Sequence, residues 1–228
     1  MKKNFITSSH TSRLRTKIAV RRKLEDDVLE KLSEALENEN AVRSVSLTDE
    51  EKKLIKPLGL LTEKPIIYAT NLGEDELAKG NSFSEEVNRL ATKEGSECVK
   101  ISAQVEAELI ELGKEERDDY LNGLGVEEGG LISLIKATYR LLGLSTYFTT
   151  GEKETKAWTI SDGMTAPQAA GVIHTDFEKG FIRAQTISYK KLLEAGSLVE
   201  ARNKGWLRSE GKEYVVNEGD VMEFLFNV

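Results

Sequence analysis

The stretch Ala157–Ala184, AWTISDGMTAPQAAGVIHTDFEKGFIRA, decides how the chain is read. Trp158 and Ile160 alternate with polar neighbours, which suits a half-buried strand. Ser161-Asp162-Gly163 is a turn signal, because glycine takes positive φ without a steric cost. Thr165 and Gln168 stand at capping-box spacing, where hydroxyl and amide satisfy the free N–H groups of a helix start. Pro167 fits the first helical turn, where its missing N–H costs nothing. A short helix then leads to Gly180 and a β-rich run, Phe181 to Ala184. One helix laid across a small mixed sheet is the simplest compact solution.

Downstream, the chain is expected to end in a hairpin: Tyr214 to Val216, a turn at Asn217 to Asp220, then Val221 to Val228. Upstream, Lys64 to Thr70 reads as a short apolar strand ending in Asn71. A helix follows over Phe83, Val87, Leu90 and Ala91 and ends at Gly95, and Cys98 to Ile101 is a second strand. Strand, helix, strand at this length is a βαβ unit with parallel strands. Further helices are expected over 104–112, 115–121 and 131–142. At the other end, Leu14, Ile18, Leu24, Val28, Leu32 and Leu36 recur at helical steps over 14–37, an arm whose stripe needs a cover. Thr48 looks like the cap of a short helix closed by Pro57 and Gly59. There is no internal repeat and no low-complexity tract.

The chain has 228 residues, with 39% hydrophobic and 31% charged, the balance of a globular protein of one large or two ordinary domains. A net charge of −7 argues against a general nucleic-acid coat, though a local basic patch still binds RNA. The one cysteine, Cys98, allows no internal disulfide and no cysteine metal cluster, which suits a reducing compartment. The first 24 residues lack Asp and Glu and are rich in Lys, Arg, Ser and Thr. They read as a basic helical arm or, alternatively, as an organellar transit peptide. No apolar run reaches bilayer length.

The run Pro167–Ala184 resembles the signature of the Obg-like ATPases, the YchF family, and the segment around it resembles the TGS domain, a ubiquitin-like β-grasp module. The resemblance covers nearly all of the chain after the first dozen or so residues. It implies an α+β architecture in three parts. Residues 1–60 would be a helical arm, the returning half of an α-helical hairpin. Residues 61–144 would be a partial α/β nucleotide-binding domain of the P-loop type. Residues 145–228 would be the TGS domain.

The same resemblance puts the nucleotide base at two strand ends, where open α/β sheets bind ligands. The first is Asn71-Leu72-Gly73-Glu74, in place of the Asn-Lys-x-Asp of GTPases. In that GTPase motif the Asp accepts two parallel hydrogen bonds from guanine. Adenine offers no such donor pair, so Glu74 can turn away while the Asn71 amide pairs with the adenine edge and Leu72 offers an apolar surface to the ring. The second is Ser102-Ala103, where a backbone N–H and the hydroxyl border the base. ATP is therefore the implied nucleotide, preferred over GTP, with magnesium expected in the full-length family.

No Gly-x-x-x-x-Gly-Lys-Ser/Thr occurs in the 228 residues. The Gly-Lys pairs, Gly113-Lys114 and Gly211-Lys212, are each followed by Glu. Without that loop nothing cradles the β- and γ-phosphates or holds magnesium. The resemblance implies that the phosphate half lies upstream of Met1. No catalytic or metal-ligating residue is assigned, and hydrolysis by this chain is not expected. The implied partner is the ribosome or another RNA–protein surface, engaged by the TGS domain in the cytoplasm, with neither DNA nor a membrane. A nucleotide-independent binding module and a non-functional fragment are the alternatives.

Other residues invite chemistry and have plainer readings. His174 beside Asp176 suggests a catalytic pair, but no nucleophile is signalled nearby and the family motif puts this His in a structural turn. Cys98 reads as inert core, and Glu115 to Asp119 as a solvated helix face. Trp158, Phe177, Phe181, Phe224 and Phe226 are spaced like a β-grasp core or an exposed aromatic surface. Lys179, Arg183, Lys190, Lys191, Arg202, Lys204 and Arg208, interleaved with Tyr189 and Trp206, could bind RNA by phosphate contact and stacking.

Overall fold

The computed structural model describes residues 22–151 and 154–227. The expected helix over 14–37 is seen as α1 over 22–37. Its first turns and the basic start lie outside the described residues. Two units divide the chain. One comprises residues up to Tyr68 together with Ser82–Cys98; the other comprises Ala69–Asn81 and Val99 onward.

In the smaller unit, Val28 and Leu32 of α1 pack on Val42 and Ile55. Two residues of the arm's stripe are thus covered by the chain that returns after it, while Leu36 stays 45% exposed. Ile55 ends α2 (Asp49–Ile55), which Thr48 opens with a complete capping box. The Thr48 N–H donates to Glu51 Oε2 at 2.7 Å, and the Glu51 N–H donates to Thr48 Oγ1 at 3.3 Å. Lys31 Nζ sits 2.6 Å from Glu51 Oε1 and ties α1 to α2. The helix α3 (Ser82–Glu94) buries Ala91 and Ser84 but leaves Phe83 76% and Leu90 44% exposed.

Strands β1 (Ile67–Asn71) and β2 (Glu97–Ile101) form a two-stranded sheet. Thr70 Oγ1 donates to Val99 O and the Leu72 N–H to Ile101 O, so both partners advance together, the sense of a parallel pair. Three helices follow in the larger unit: α4 (Ala103–Glu111), α5 (Lys114–Gly123) and α6 (Gly130–Leu142). Val105 and Leu109 of α4 meet Leu121 of α5 and Leu77 in one buried cluster. A Cβ on Gly130 would stand 2.8 Å from the Ile101 Cα, so only glycine lets α6 start this close to the end of β2.

The decisive stretch folds as read. Its strand is β4 (Thr155–Ser161), and β3 (Leu144–Thr150) pairs with it antiparallel, from Leu144 opposite Ser161 to Thr150 opposite Thr155. Helix α7 (Ala166–Ile173) follows, with the Thr165 N–H donating to Gln168 Oε1 at 2.9 Å. Ala166, Ala169 and Ala170 are fully buried, and their small side chains let α7 lie close on the sheet. A short α8 (Thr175–Lys179) leads into β5 (Phe181–Ser188). Next come α9 (Tyr189–Ala195), α10 (Leu198–Asn203), β6 (Arg208–Glu210) and β7 (Asp220–Phe226). The five strands stand in the order β4-β3-β7-β5-β6. Here β3, the first, and β7, the last, lie side by side and parallel in the middle. That is the β-grasp arrangement.

The expected final hairpin does not form. β7 pairs antiparallel with β5 instead, from Phe181 opposite Phe226 to Ser188 opposite Asp220. The Gly219 N–H donates to Thr146 O, which steers β7 into the sheet centre. Residues Tyr214 to Val216 serve the start of α7: the Ala166 N–H donates to Tyr214 O at 2.8 Å and the Val216 N–H to Met164 O at 3.0 Å. One of the donors that a helix start leaves unpaired is satisfied this way.

The aromatic residues take the core reading. Phe177 stacks on Phe226 with centroids 3.9 Å apart, and Phe181 and Tyr147 meet Phe224 edge-on. Trp158 is partly buried against the same core, and its Nε1–H donates to Thr149 Oγ1. Burial raises the Tyr147 hydroxyl pKa well above the ordinary tyrosine value, and the group donates to Ala169 O at 2.9 Å. The other face of the sheet packs Ile187 and Val221 on Ala201 of α10. Among the described residues no helix is long and apolar enough to cross a membrane.

Candidate nucleotide-base site

The two candidate base motifs are brought together at the ends of β1 and β2. Asn71, the last residue of β1, is exposed, and its Oδ1 accepts from the Ala103 N–H at 3.0 Å. That bond binds one motif to the other across 32 positions of sequence. The Nδ2 group on the same amide has no hydrogen bond to the described residues. Ser102 is 1% exposed; it caps α4, its Oγ accepting from the Val105 N–H at 3.4 Å. Leu72 is 7% exposed, so its side chain is largely spent in packing. Gly73 passes the chain into a single 3-10 turn over Glu74–Glu76.

Glu74 Oε1 accepts from the Tyr120 hydroxyl at 3.1 Å. That single O–H proton is shared with the nearer Glu108 Oε2 at 2.6 Å, and Gln104 Nε2 donates to Glu108 Oε1 at 3.1 Å. Hydrogen bonds from Tyr120 first and Gln104 second hold the Glu108 carboxyl below the usual carboxylate range. The Tyr120 hydroxyl is pushed well up, chiefly by its bond to Glu108, then by burial and by Glu74. Neither Tyr120 nor Glu108 stands out in the sequence. Tyr120 ends a run of exposed acidic residues, Glu115 to Asp119, and only the packing of its ring beside Leu121 and Leu109 reveals where the hydroxyl goes.

The remaining candidates take structural places. His174 Nδ1 accepts from the Asp176 N–H at 3.2 Å and caps α8. Cys98 lies half-buried in β2. Among the basic residues, Lys204 lies over the Trp206 ring at 4.6 Å and Arg208 over the Tyr214 ring at 5.5 Å. Arg208 also donates to the Tyr214 hydroxyl and faces Glu210 and Asp220. These rings are already covered by cations of their own chain. A groove of about 570 Å³ beside α6 is lined by Lys136, Ser145 and Asp162, among others. Its polar groups are satisfied within the chain, Ser145 by Asp162 and Lys136 by Glu128.

Fold and site together define a class: part of an α/β domain whose two strand-end loops are tied by one asparagine amide, followed by a β-grasp domain. A family model described as YchF-GTPase_C, protein of unknown function (DUF933), matches residues 144–227. The chain is 50% identical over 206 residues to the ribosome-binding ATPase YchF of Bacillus subtilis (strain 168), covering 90% of this chain and 56% of that protein. It is 52% identical over 206 residues to the protein of the same description from Escherichia coli O157:H7, with the same coverage. The solved structure of the Schizosaccharomyces pombe YchF GTPase superposes with a TM-score of 0.75 at 33% identity, covering 90% of this chain and 55% of that one. The chain belongs to the YchF family and carries the carboxyl-terminal part of its sequence. It spans 56% of the length of the curated relatives named here.

Proposed function

We propose that this chain is the base-recognising and adaptor portion of a YchF-type nucleotide switch that prefers adenine. The observation that carries the reading is the Asn71 amide, whose Oδ1 is held by the Ala103 N–H at 3.0 Å while its Nδ2 is left for a base edge. Glu74, bonded to Tyr120, supports adenine over guanine, because guanine recognition at this position needs a carboxylate free to accept two bonds. Asn71, Leu72, Glu74, Ser102 and Ala103 form the proposed base site. Buried Leu72 and Ser102 shape the loops, and Asn71 makes the contact.

The residues present fit the base of ATP. They do not fit its triphosphate or magnesium, since no phosphate-binding loop occurs in the 228 residues. When bound, the nucleotide would supply the phosphate chemistry of the whole switch; this chain's own residues orient the base. The division into an arm (1–60), a nucleotide-binding part (61–144) and a TGS domain (145–228) belongs to the same reading, supported by the β-grasp strand order. The bacterial relatives are described as ribosome-binding ATPases, which supports a ribosomal partner for the TGS surface and, with it, a cytoplasmic setting.

Calorimetry on the purified chain with adenosine, ATP, ADP and GTP tests the reading. Adenosine and ATP should bind with similar affinities, since the base alone is held, and GTP should bind more weakly. Phosphate release from ATP should not exceed the enzyme-free blank. Silence with every adenine ligand at millimolar concentration removes the base site from the reading and leaves the β-grasp domain as the binding module.

A further inference from the structure

We infer that Tyr120 is a positioning residue that sets base selectivity by holding the Glu74 carboxylate off the guanine edge. The inference rests on the base-site reading above and deepens it. Its ground is a three-residue relay that ties the first motif to the helix leaving the second. Ser102 caps α4, α4 presents Glu108, Glu108 accepts from the Tyr120 hydroxyl at 2.6 Å, and that hydroxyl lies 3.1 Å from Glu74 Oε1. The ring of Tyr120 is anchored, packed against the buried cluster of Leu77, Val105, Leu109 and Leu121. An anchored ring delivers its hydroxyl to one place. Glu74 itself is exposed on a single 3-10 turn, and among the described residues Tyr120 is its side chain's hydrogen-bond partner.

Selectivity follows from the geometry of the acceptors. Guanine recognition takes both oxygens of one carboxylate against two parallel N–H donors, a pairing worth about tenfold or more against the wrong base. The bond to Tyr120 sets the direction of the Glu74 carboxylate, so it is not free to turn both oxygens to a guanine edge. Removing the hydroxyl frees Glu74 and also leaves it beside the Glu108 carboxylate without the shared proton. Like charges then drive the exposed Glu74 away from Glu108.

The test is calorimetry on the 228-residue chain with adenosine and guanosine. Three proteins are compared: the natural chain, Tyr120→Phe, and Tyr120→Phe combined with Glu74→Gln. Phenylalanine keeps the anchoring ring, so thermal unfolding should stay close to that of the natural chain. The natural chain should prefer adenosine. Tyr120→Phe should raise guanosine affinity relative to adenosine by about tenfold, and the double variant should lose that gain. An unchanged ratio in Tyr120→Phe, with adenosine still preferred by the natural chain, overturns the role of Tyr120 and leaves the base site standing. A gain that survives Glu74→Gln overturns it too, because the carboxylate is then not the cause. No adenosine preference in the natural chain overturns both the inference and the base-site reading.

Discussion

The β-grasp domain and the segment before it solve the problem of burial to different degrees. The domain closes on itself: a five-stranded sheet has α7 on one face and α9 and α10 against the other, and Tyr147, Ala166, Ala169, Ala170 and Ala184 are fully buried. The preceding segment has a two-stranded sheet and leaves large apolar side chains open. Phe83 is 76% exposed, Ile110 73%, and Leu131, Ile132 and Ile135 of α6 are each half or more exposed. Its buried clusters are small and local, each made by neighbouring helices. Open apolar side chains do not by themselves separate the two, since the β-grasp domain also leaves Ile182, Leu193 and Val199 more than half exposed. The difference lies in the core: the β-grasp residues build one large buried cluster, and the earlier residues build small local ones.

The largest expected effect lies inside the closed unit. Tyr147→Ala removes a fully buried ring, its edge-on contact with Phe224 and the hydrogen bond to Ala169 O. Unfolding monitored by denaturant should show a loss of about 3–5 kcal/mol. The matching substitution in the open segment, Phe83→Ala, should change stability by less than about 0.5 kcal/mol, since that ring is mostly in water already. Equal losses would break the comparison. A middle-sized effect is expected where the open segment is tight. Gly130→Ala forces a Cβ to within 2.8 Å of the Ile101 Cα, a backbone atom that cannot step aside. A loss of about 1–3 kcal/mol is expected. Because Ile101 carries the Leu72 N–H bond, adenosine binding should fall with it. Full stability in Gly130→Ala would show that α6 is free to shift.

Legibility followed the range of the interactions. The capping boxes at Thr48 and Thr165 span three residues, and both were readable because a local rule decides them. The strand–turn–helix at Trp158 to Ile173 was readable for the same reason. Strand pairing was not: β7 chooses β5 and β3 over the adjacent Tyr214 to Val216 because of bonds to Thr146 and Met164, some 50 or more positions away. The proposed base site divides in the same manner. Asn71, Glu74 and Ser102 could be named from a motif, but Tyr120 lies 46 positions from Glu74 and reaches it only through the packing of α4 on α5. Helices α9 and α10 were not anticipated; each is short, and the wall it packs on is made by Ile187 and Val221 of β5 and β7.

The smallest effect sharpens the comparison by pH. In the open segment, Glu51 is the ion that fastens α2 to α1, and the Lys31 ammonium, with the Thr48 N–H and hydroxyl behind it, holds its carboxyl down to about 2. In the unfolded chain a glutamate titrates near about 4.3. A carboxyl whose folded pKa is depressed contributes stability that is present above the unfolded value and is lost as pH falls through the folded one. The contribution of Glu51 should therefore be whole above about pH 4.5 and fade between there and about pH 2. Glu51→Gln isolates it, because glutamine still reaches the Thr48 N–H and keeps the capping box while removing the charge. The natural chain should be more stable than Glu51→Gln at pH 6, and the gap should close as pH falls toward 2. In the β-grasp domain, where no Lys31–Glu51 pair exists, the same pH range should leave the difference between the two proteins flat when read by Trp206 or Trp158 fluorescence. A gap of constant size across the range would mean that Glu51 acts through shape alone, and that the open segment is fastened by packing in the same way as the closed one.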